Sequence, residues 1–279
     1  MRFDIAGVAG FLCGGLVAWV WAERGIRNPR EGSLRTNVSG KQVPVALGVA
    51  LAAGALLPLA VVAVAGLSGA GDVRSPRVAA AVAVVIAIMA VAGALDDMRG
   101  DESPRGFAGH LKAAGRGRLT GGLLKTWAGG AAGLAAGALV HRADRPLIVL
   151  TALAVPLTAN FVNLMDRAPG RAGKISLAMA LPLMIFGDAG WRNAAAPALG
   201  ALVAVLPSDL RERGMLGDAG ANPLGAVLGL GAAVWLETTA LALAVVVLLL
   251  LNLASERWSY SAIIERTPPL RWLDAIGRK

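Results

Sequence analysis

Four short stretches carry the residues able to do chemistry in an otherwise apolar chain. Asp96 and Asp97 stand side by side in Ala92-Gly93-Ala94-Leu95-Asp96-Asp97-Met98-Arg99. Adjacent carboxylates repel each other and lose hydration near a bilayer boundary, and a divalent cation or a basic side chain relieves both costs. A helix-ending polar pair in a wet loop would leave the same signature. Asn160, Asn163 and Asp166, followed by Arg167, recur at close to one helical turn. Two carboxamides and a carboxylate then share a stripe suited to a sugar, a nucleotide or a hydrated metal, or simply form a polar seam between helices. Gly217-Asp218-Ala219-Gly220-Ala221-Asn222-Pro223 sets one carboxylate among small residues ahead of a helix start. Backbone and ligand can approach closely there, although a plain turn has the same composition. Asn37–Pro44 adds Lys41, a glycine turn and a proline suited to a helix start, a weak signal alone.

The elements that must position these residues are membrane helices. Of 279 residues, 56% are hydrophobic and 16% charged, with a mean hydropathy of +0.63. A soluble domain carries about 25% charge, so this composition excludes one, along with disorder and a disulfide scaffold. Cys13 is the only cysteine, and His110 and His141 are the only histidines. Neither a disulfide nor a histidine-built metal site is available from so few. Apolar runs occupy roughly Ile5–Trp21, Pro44–Gly66, Val78–Leu95, Gly121–Val140, Pro146–Phe161, Ile175–Phe186, Ala194–Leu206, Pro223–Trp235 and Thr239–Leu253. The expectation is an all-α polytopic transmembrane bundle of about nine spans. Residues 1–253 form one transmembrane domain and residues 254–279 an amphipathic tail. The sixth and eighth runs are short for a clean crossing.

Charge gives the orientation. The loops 22–43, 96–120, 162–174, 207–222 and 254–279, with Lys125, hold 21 of the 27 Lys and Arg residues. Positive loops stay in the cytoplasm, which places the N-terminus outside and the C-terminus inside. The net charge of +9 therefore reflects topology, and no nucleic-acid partner is implied. Thirteen of the 18 acidic residues share the cytoplasmic side. Asp and Glu do not set topology, so their crowding points to an active cytoplasmic face. Mg²⁺ takes carboxylate oxygens and is commonly shared with substrate phosphates. Asp96, Asp97, Asp166 and Asp218 supply the first, while Lys41, Lys125, Arg167, Arg171 and Lys174 could hold the second. Phosphoryl transfer on a membrane-bound phosphate fits these parts.

The order of the four stretches resembles the polyprenyl-phosphate N-acetylhexosamine-1-phosphate transferases, over about Asn37 to Asn252. Asn37–Pro44 looks like that family's Gly/Lys/Pro segment, and Asp96-Asp97 like its Asp-Asp pair. Asn160–Asp166 looks like its Asn-x-x-Asn-Leu-x-Asp-Gly segment, and Gly217–Gly220 like its Gly-Asp-x-Gly-Ser segment. The resemblance implies an inner or plasma membrane enzyme of cell-envelope glycan synthesis. Polyprenyl phosphate would attack a UDP-sugar with release of UMP. Asp218 would bind Mg²⁺, with Mn²⁺ as the alternative, and Asp96 and Asp97 would handle the lipid phosphate, one as base. Asn160, Asn163 and Asp166 would hold nucleotide or sugar, with Arg167 and Arg171 beside them, and Lys41 and Lys125 would meet phosphate.

The departures define a second hypothesis. Arg167 stands where the family has glycine, the second Asp-Gly is missing, Ala221 replaces a serine, and no histidine follows His141. A non-catalytic relative that binds polyprenyl phosphate or a cell-envelope partner protein is therefore the alternative, and a homodimer is left open. The tail, with Trp258, Tyr260, Trp272 and five basic residues, reads as an interfacial segment touching membrane lipids. Pro268-Pro269 should break it in two, and it is expected to lie near the site and partly cover it.

Overall fold

The computed structural model describes residues 5–67, 76–99 and 121–278. Arg2, Arg74, Arg105 and His110 lie outside them. Each of the nine apolar runs lies in a helix of its own, except that the second begins in a strand at Pro44. These are α1 (Ile5–Arg27), α2 (Leu47–Leu67), α3 (Pro76–Arg99), α4 (Gly121–His141), α5 (Arg145–Met165), α6 (Arg171–Phe186), α7 (Ala189–Leu210), α8 (Asp218–Trp235) and α9 (Thr238–Ala254). Two short helices follow, α10 (Tyr260–Arg266) and α11 (Pro268–Ala275). Among the described residues, five helices (α1, α3, α4, α5 and α7) are long and apolar enough to cross a bilayer. Helix is the expected form for such runs, because hydrocarbon offers backbone groups no partner but each other. The chain is a helical membrane protein.

The interior is built from small residues. Helix α8 lies at the centre, with Ala219 to Gly231 buried without interruption, and it packs against α3 and α5. Alanine and glycine let backbones come close where apolar area alone drives no association in lipid. Gly93 of α3 is such a contact: a Cβ there would overlap the backbone of Asp218 and Ala219. The indole of Trp191, 1% exposed, donates to the Val227 carbonyl at 3.0 Å, which satisfies its one polar atom. Outside, Leu12, Leu16, Leu243, Val247 and Leu250 are exposed, an apolar surface of the kind hydrocarbon would cover.

Two elements depart from the sequence reading. A small antiparallel hairpin, β1 (Leu34–Thr36) and β2 (Gln42–Pro44), with Arg35 opposite Val43, interrupts the all-α pattern. Asn37 organises its turn by accepting from the amides of Ser39 and Lys41, and Gly40 adopts φ +78°. Pro44 therefore ends a strand, and α2 begins at Leu47. Helix α8 also starts five residues before Pro223, at Asp218, because a side chain from α3 caps its first turn.

Candidate active site

The C-terminal ends of α3, α5 and α7 and the N-terminal ends of α4 and α8 meet at one end of the bundle. Together with the hairpin they enclose a cavity of about 640 Å³. Ligand sites commonly span about 300–1,000 Å³. The centre of this one is a cation between two acids. The ammonium of Lys125, near the start of α4, donates to Asp96 Oδ2 at 2.7 Å and to Asp218 Oδ2. The three side chains are each about a fifth exposed, so the pairing works in partly dry surroundings. Asn163 Nδ2 completes the group, donating to Asp218 Oδ1 at 2.9 Å and to Asn222 Oδ1 at 3.1 Å.

The two neighbouring aspartates have different jobs. Asp97 turns away from Lys125 and caps α8: its Oδ1 accepts from the Asp218 amide at 3.0 Å and its Oδ2 from the Ala219 amide at 2.9 Å. Helix α8 has no cap of its own, since Gly217 stands at the N-cap with φ +60°. A carboxylate facing the positive end of a helix dipole is stabilising, and here it fixes where Asp218 points. A Cβ at Gly217 would crowd Asp97 to 2.9 Å, so glycine is needed for contact as well as for φ. Arg35 of the hairpin donates to the Asp97 carbonyl and lines the cavity.

The stripe on α5 holds together as a stripe. Asn160, Asn163 and Asp166 all line the cavity, with Arg167 after them. The Asn160 amide donates to Asn252 Oδ1 on α9. Asp166 ends α5 as its C-cap. Burial first, then the carboxylates of Asp209, Asp218 and Asp97, push its carboxyl well above the usual carboxylate range. In its protonated form this acid donates a hydrogen bond as well as accepting one.

Lys41 and Arg171 are not brought to the cavity. Lys41, largely exposed, pairs with Glu212 Oε2 at 2.7 Å. Its hydrogen bond, joined by one from the Ser39 hydroxyl, holds the Glu212 carboxyl below the usual range. Glu212 itself lines the cavity, so the pair anchors the hairpin to the rim. Arg171 is buried against Asp274 of α11, with its Nη2 2.8 Å from Oδ2. The segment after α9 docks beside the loop from Asp166 to Gly170, and none of its residues lines the cavity. The expected partial cover over the site is therefore a brace behind one wall.

Sequence reasoning missed Arg35, Asp209 and Glu212 as lining residues. Asp209, 4% exposed, accepts from the Gly170 amide at 3.0 Å. An ionisable residue at the end of an apolar run was the available signal.

Among the described residues, no three His, Cys, Asp or Glu side chains form a ready-made metal cage. The donor set nonetheless fits Mg²⁺, which keeps several waters and takes only one or two carboxylates plus substrate phosphate. Asp96 and Asp218 already converge on one cationic group, the Lys125 ammonium. A family model described as glycosyl transferase family 4 matches residues 79–237. That span begins in α3, ends just past α8 and takes in Asp96, Asp97, Lys125, Asn163, Asp166 and Asp218. No curated protein matches the chain.

Proposed function

The chain belongs to glycosyl transferase family 4, and from that premise we propose that it moves a sugar-1-phosphate from a UDP-sugar to polyprenyl phosphate. The observation that carries the reading is the Lys125 ammonium shared by Asp96 and Asp218 inside a polar cavity at one end of a membrane bundle. In the reaction, an oxygen of the lipid phosphate attacks the β-phosphorus of the donor, the phosphorus bearing the sugar. The bond from that phosphorus to the bridging oxygen breaks, UMP leaves with the electron pair, and polyprenyl-diphospho-sugar remains.

Each residue has a task that follows from its place. Lys125 holds phosphate oxygens and balances charge as the bridging oxygen becomes an anion. Asp96 is the member of the acidic pair that meets Lys125, and it takes any proton left on the lipid phosphate. Asp97 positions Asp218 through α8. Asn160, Asn163 and Asp166 offer donors and acceptors to nucleotide or sugar, and Arg167 offers charge at the same wall. Mg²⁺, held by Asp218 and Asp96, would neutralise the phosphates and orient them for in-line displacement. The cavity end faces the cytoplasm, which the loop charges favour and where sugar nucleotides are made.

Purified protein supplied with undecaprenyl phosphate, Mg²⁺ and a panel of UDP-sugars should release UMP with at least one of them. One observation favours a second reading, a relative that binds lipid phosphate without turnover: the rebuilt 166–171 loop commits Arg171 to Asp274 and not to the cavity. Lipid-phosphate binding with no UMP from any UDP-sugar would select that reading.

A further inference from the structure

The segment after α9 is fastened to the start of α6 around one carboxylate, that of Asp274. The guanidinium of Arg171, in a residue 4% exposed, donates from Nε to Asp274 Oδ1 at 2.9 Å and from Nη2 to Oδ2 at 2.8 Å. Its Nη1 donates to the Ser261 hydroxyl at 2.7 Å, drawing in α10 as well. Arg278 donates to Asp274 Oδ1 at 2.7 Å and, through Nε, to the Pro169 carbonyl at 2.8 Å. Lys174 takes the end of α11, donating to the carbonyls of Leu273, Asp274 and Ile276. Carbonyls at a helix end have no partner within the helix, so a lysine there is a fitting one.

This brace meets the cavity through one loop. Asp166, Arg167, Ala168 and Pro169 form part of the cavity wall. The loop is held at Gly170 by Asp209, and at Pro169 by Arg278. Its far end is the buried Arg171. We propose that Asp274 is a positioning residue of the transferase site, setting where Asp166 and Arg167 stand without itself touching substrate. The proposal rests on the function above for what the cavity binds. The clamp joins Arg171, inside residues 79–237 that the family model matches, to Asp274 beyond them. A two-pronged guanidinium–carboxylate pair suits this, because it fixes orientation as well as distance. Burial would raise the Asp274 carboxyl, but the hydrogen bonds and charge of Arg171 and Arg278 hold it below the usual range.

The test uses the full chain with Asp274→Leu, Arg171→Met and the two together. Breaking a buried pair strands a charge, while replacing both partners by apolar side chains is often neutral. Amide hydrogen exchange over residues 166–174 in Asp274→Leu should rise about tenfold or more, and return toward wild type in the double variant. KM for the UDP-sugar should rise about tenfold with a smaller change in kcat, since the loop is misplaced while Lys125, Asp96 and Asp218 are not. Wild-type exchange in Asp274→Leu would overturn the clamp. Faster exchange with an unchanged KM would reduce the contact to mere structure and overturn the positioning role. If the wild-type protein releases no UMP, the functional reading falls on its own, and exchange still decides whether Asp274 holds the loop.

Discussion

Removing the Asp97 side chain should unfold the site before it removes any reactive group. In Asp97→Ala the amides of Asp218 and Ala219 lose acceptors at 3.0 and 2.9 Å, and the α8 N-terminus loses its compensating charge. A hydrogen bond to a charged partner contributes roughly 1.5–3 kcal/mol, and loss of a helix cap about 1 kcal/mol. Two such bonds, with some water regained at the exposed helix end, give a cost of about 3 kcal/mol. Asp97→Asn keeps one acceptor oxygen and should lose roughly half of that. Asp96→Ala removes the 2.7 Å contact to Lys125, which keeps Asp218 as partner. Its cost in stability should be about 1 kcal/mol or less. At roughly 2–4 °C per kcal/mol, thermal unfolding in detergent should drop by about 6–12 °C for Asp97→Ala and by no more than about 4 °C for Asp96→Ala. Turnover should run the other way in Asp96→Ala, with activity lost from a protein that remains folded. An Asp97→Ala protein as stable as wild type, beside a strongly destabilised Asp96→Ala, would refute the division of labour between the two residues.

Lys125→Met should leave Asp96 and Asp218 without their shared cation at a cost of about 1–3 kcal/mol, and Mg²⁺ should raise its melting temperature more than it raises that of wild type. A melting temperature indifferent to Mg²⁺ in both proteins would count against a cation at this position. Asp166 has a folded-state pKa raised above its unfolded value. Its contribution is therefore fully present below the ordinary carboxylate pKa and lost as pH rises through the raised value. Wild type should accordingly lose stability relative to Asp166→Asn as pH rises above the ordinary carboxylate range, and parallel melting curves would show that no such proton is held. With Cys13 replaced, a cysteine at Arg142 should react with an impermeant thiol reagent on intact cells and one at Arg213 should not. Equal labelling would overturn the orientation.

The membrane helices and the gathering of polar residues at their ends were legible in the sequence for definite reasons. Long apolar runs leave no other way to satisfy the backbone in lipid, and the stripe Asn160, Asn163, Asp166 shares a wall because its spacing is that of the helix. Asp96 and Asp97 were legible as a pair but not as two different residues. Which of them caps α8 depends on how α3 meets α8, and the two helices touch where Gly93 lies against Asp218, a contact 125 residues apart in sequence. Arg171 was assigned to phosphate on charge alone. Its partner Asp274 lies beyond α9, and no local pattern joins the two. The hairpin escaped notice because strands of three residues carry no periodic signal, and its turn at Asn37 and Gly40 looked like a lead-in to a helix.

The most direct test of the account is the Mg²⁺-dependent release of UMP by wild type and Asp218→Asn, measured side by side with undecaprenyl phosphate and the best UDP-sugar. Asp218 receives Lys125 and Asn163 together and would hold the metal, so the account predicts UMP from the wild-type protein and a loss of at least about a hundredfold in the variant, at an unchanged fold and lipid-phosphate binding. Equal UMP release by both proteins would contradict the assignment of this cavity as the site of transfer.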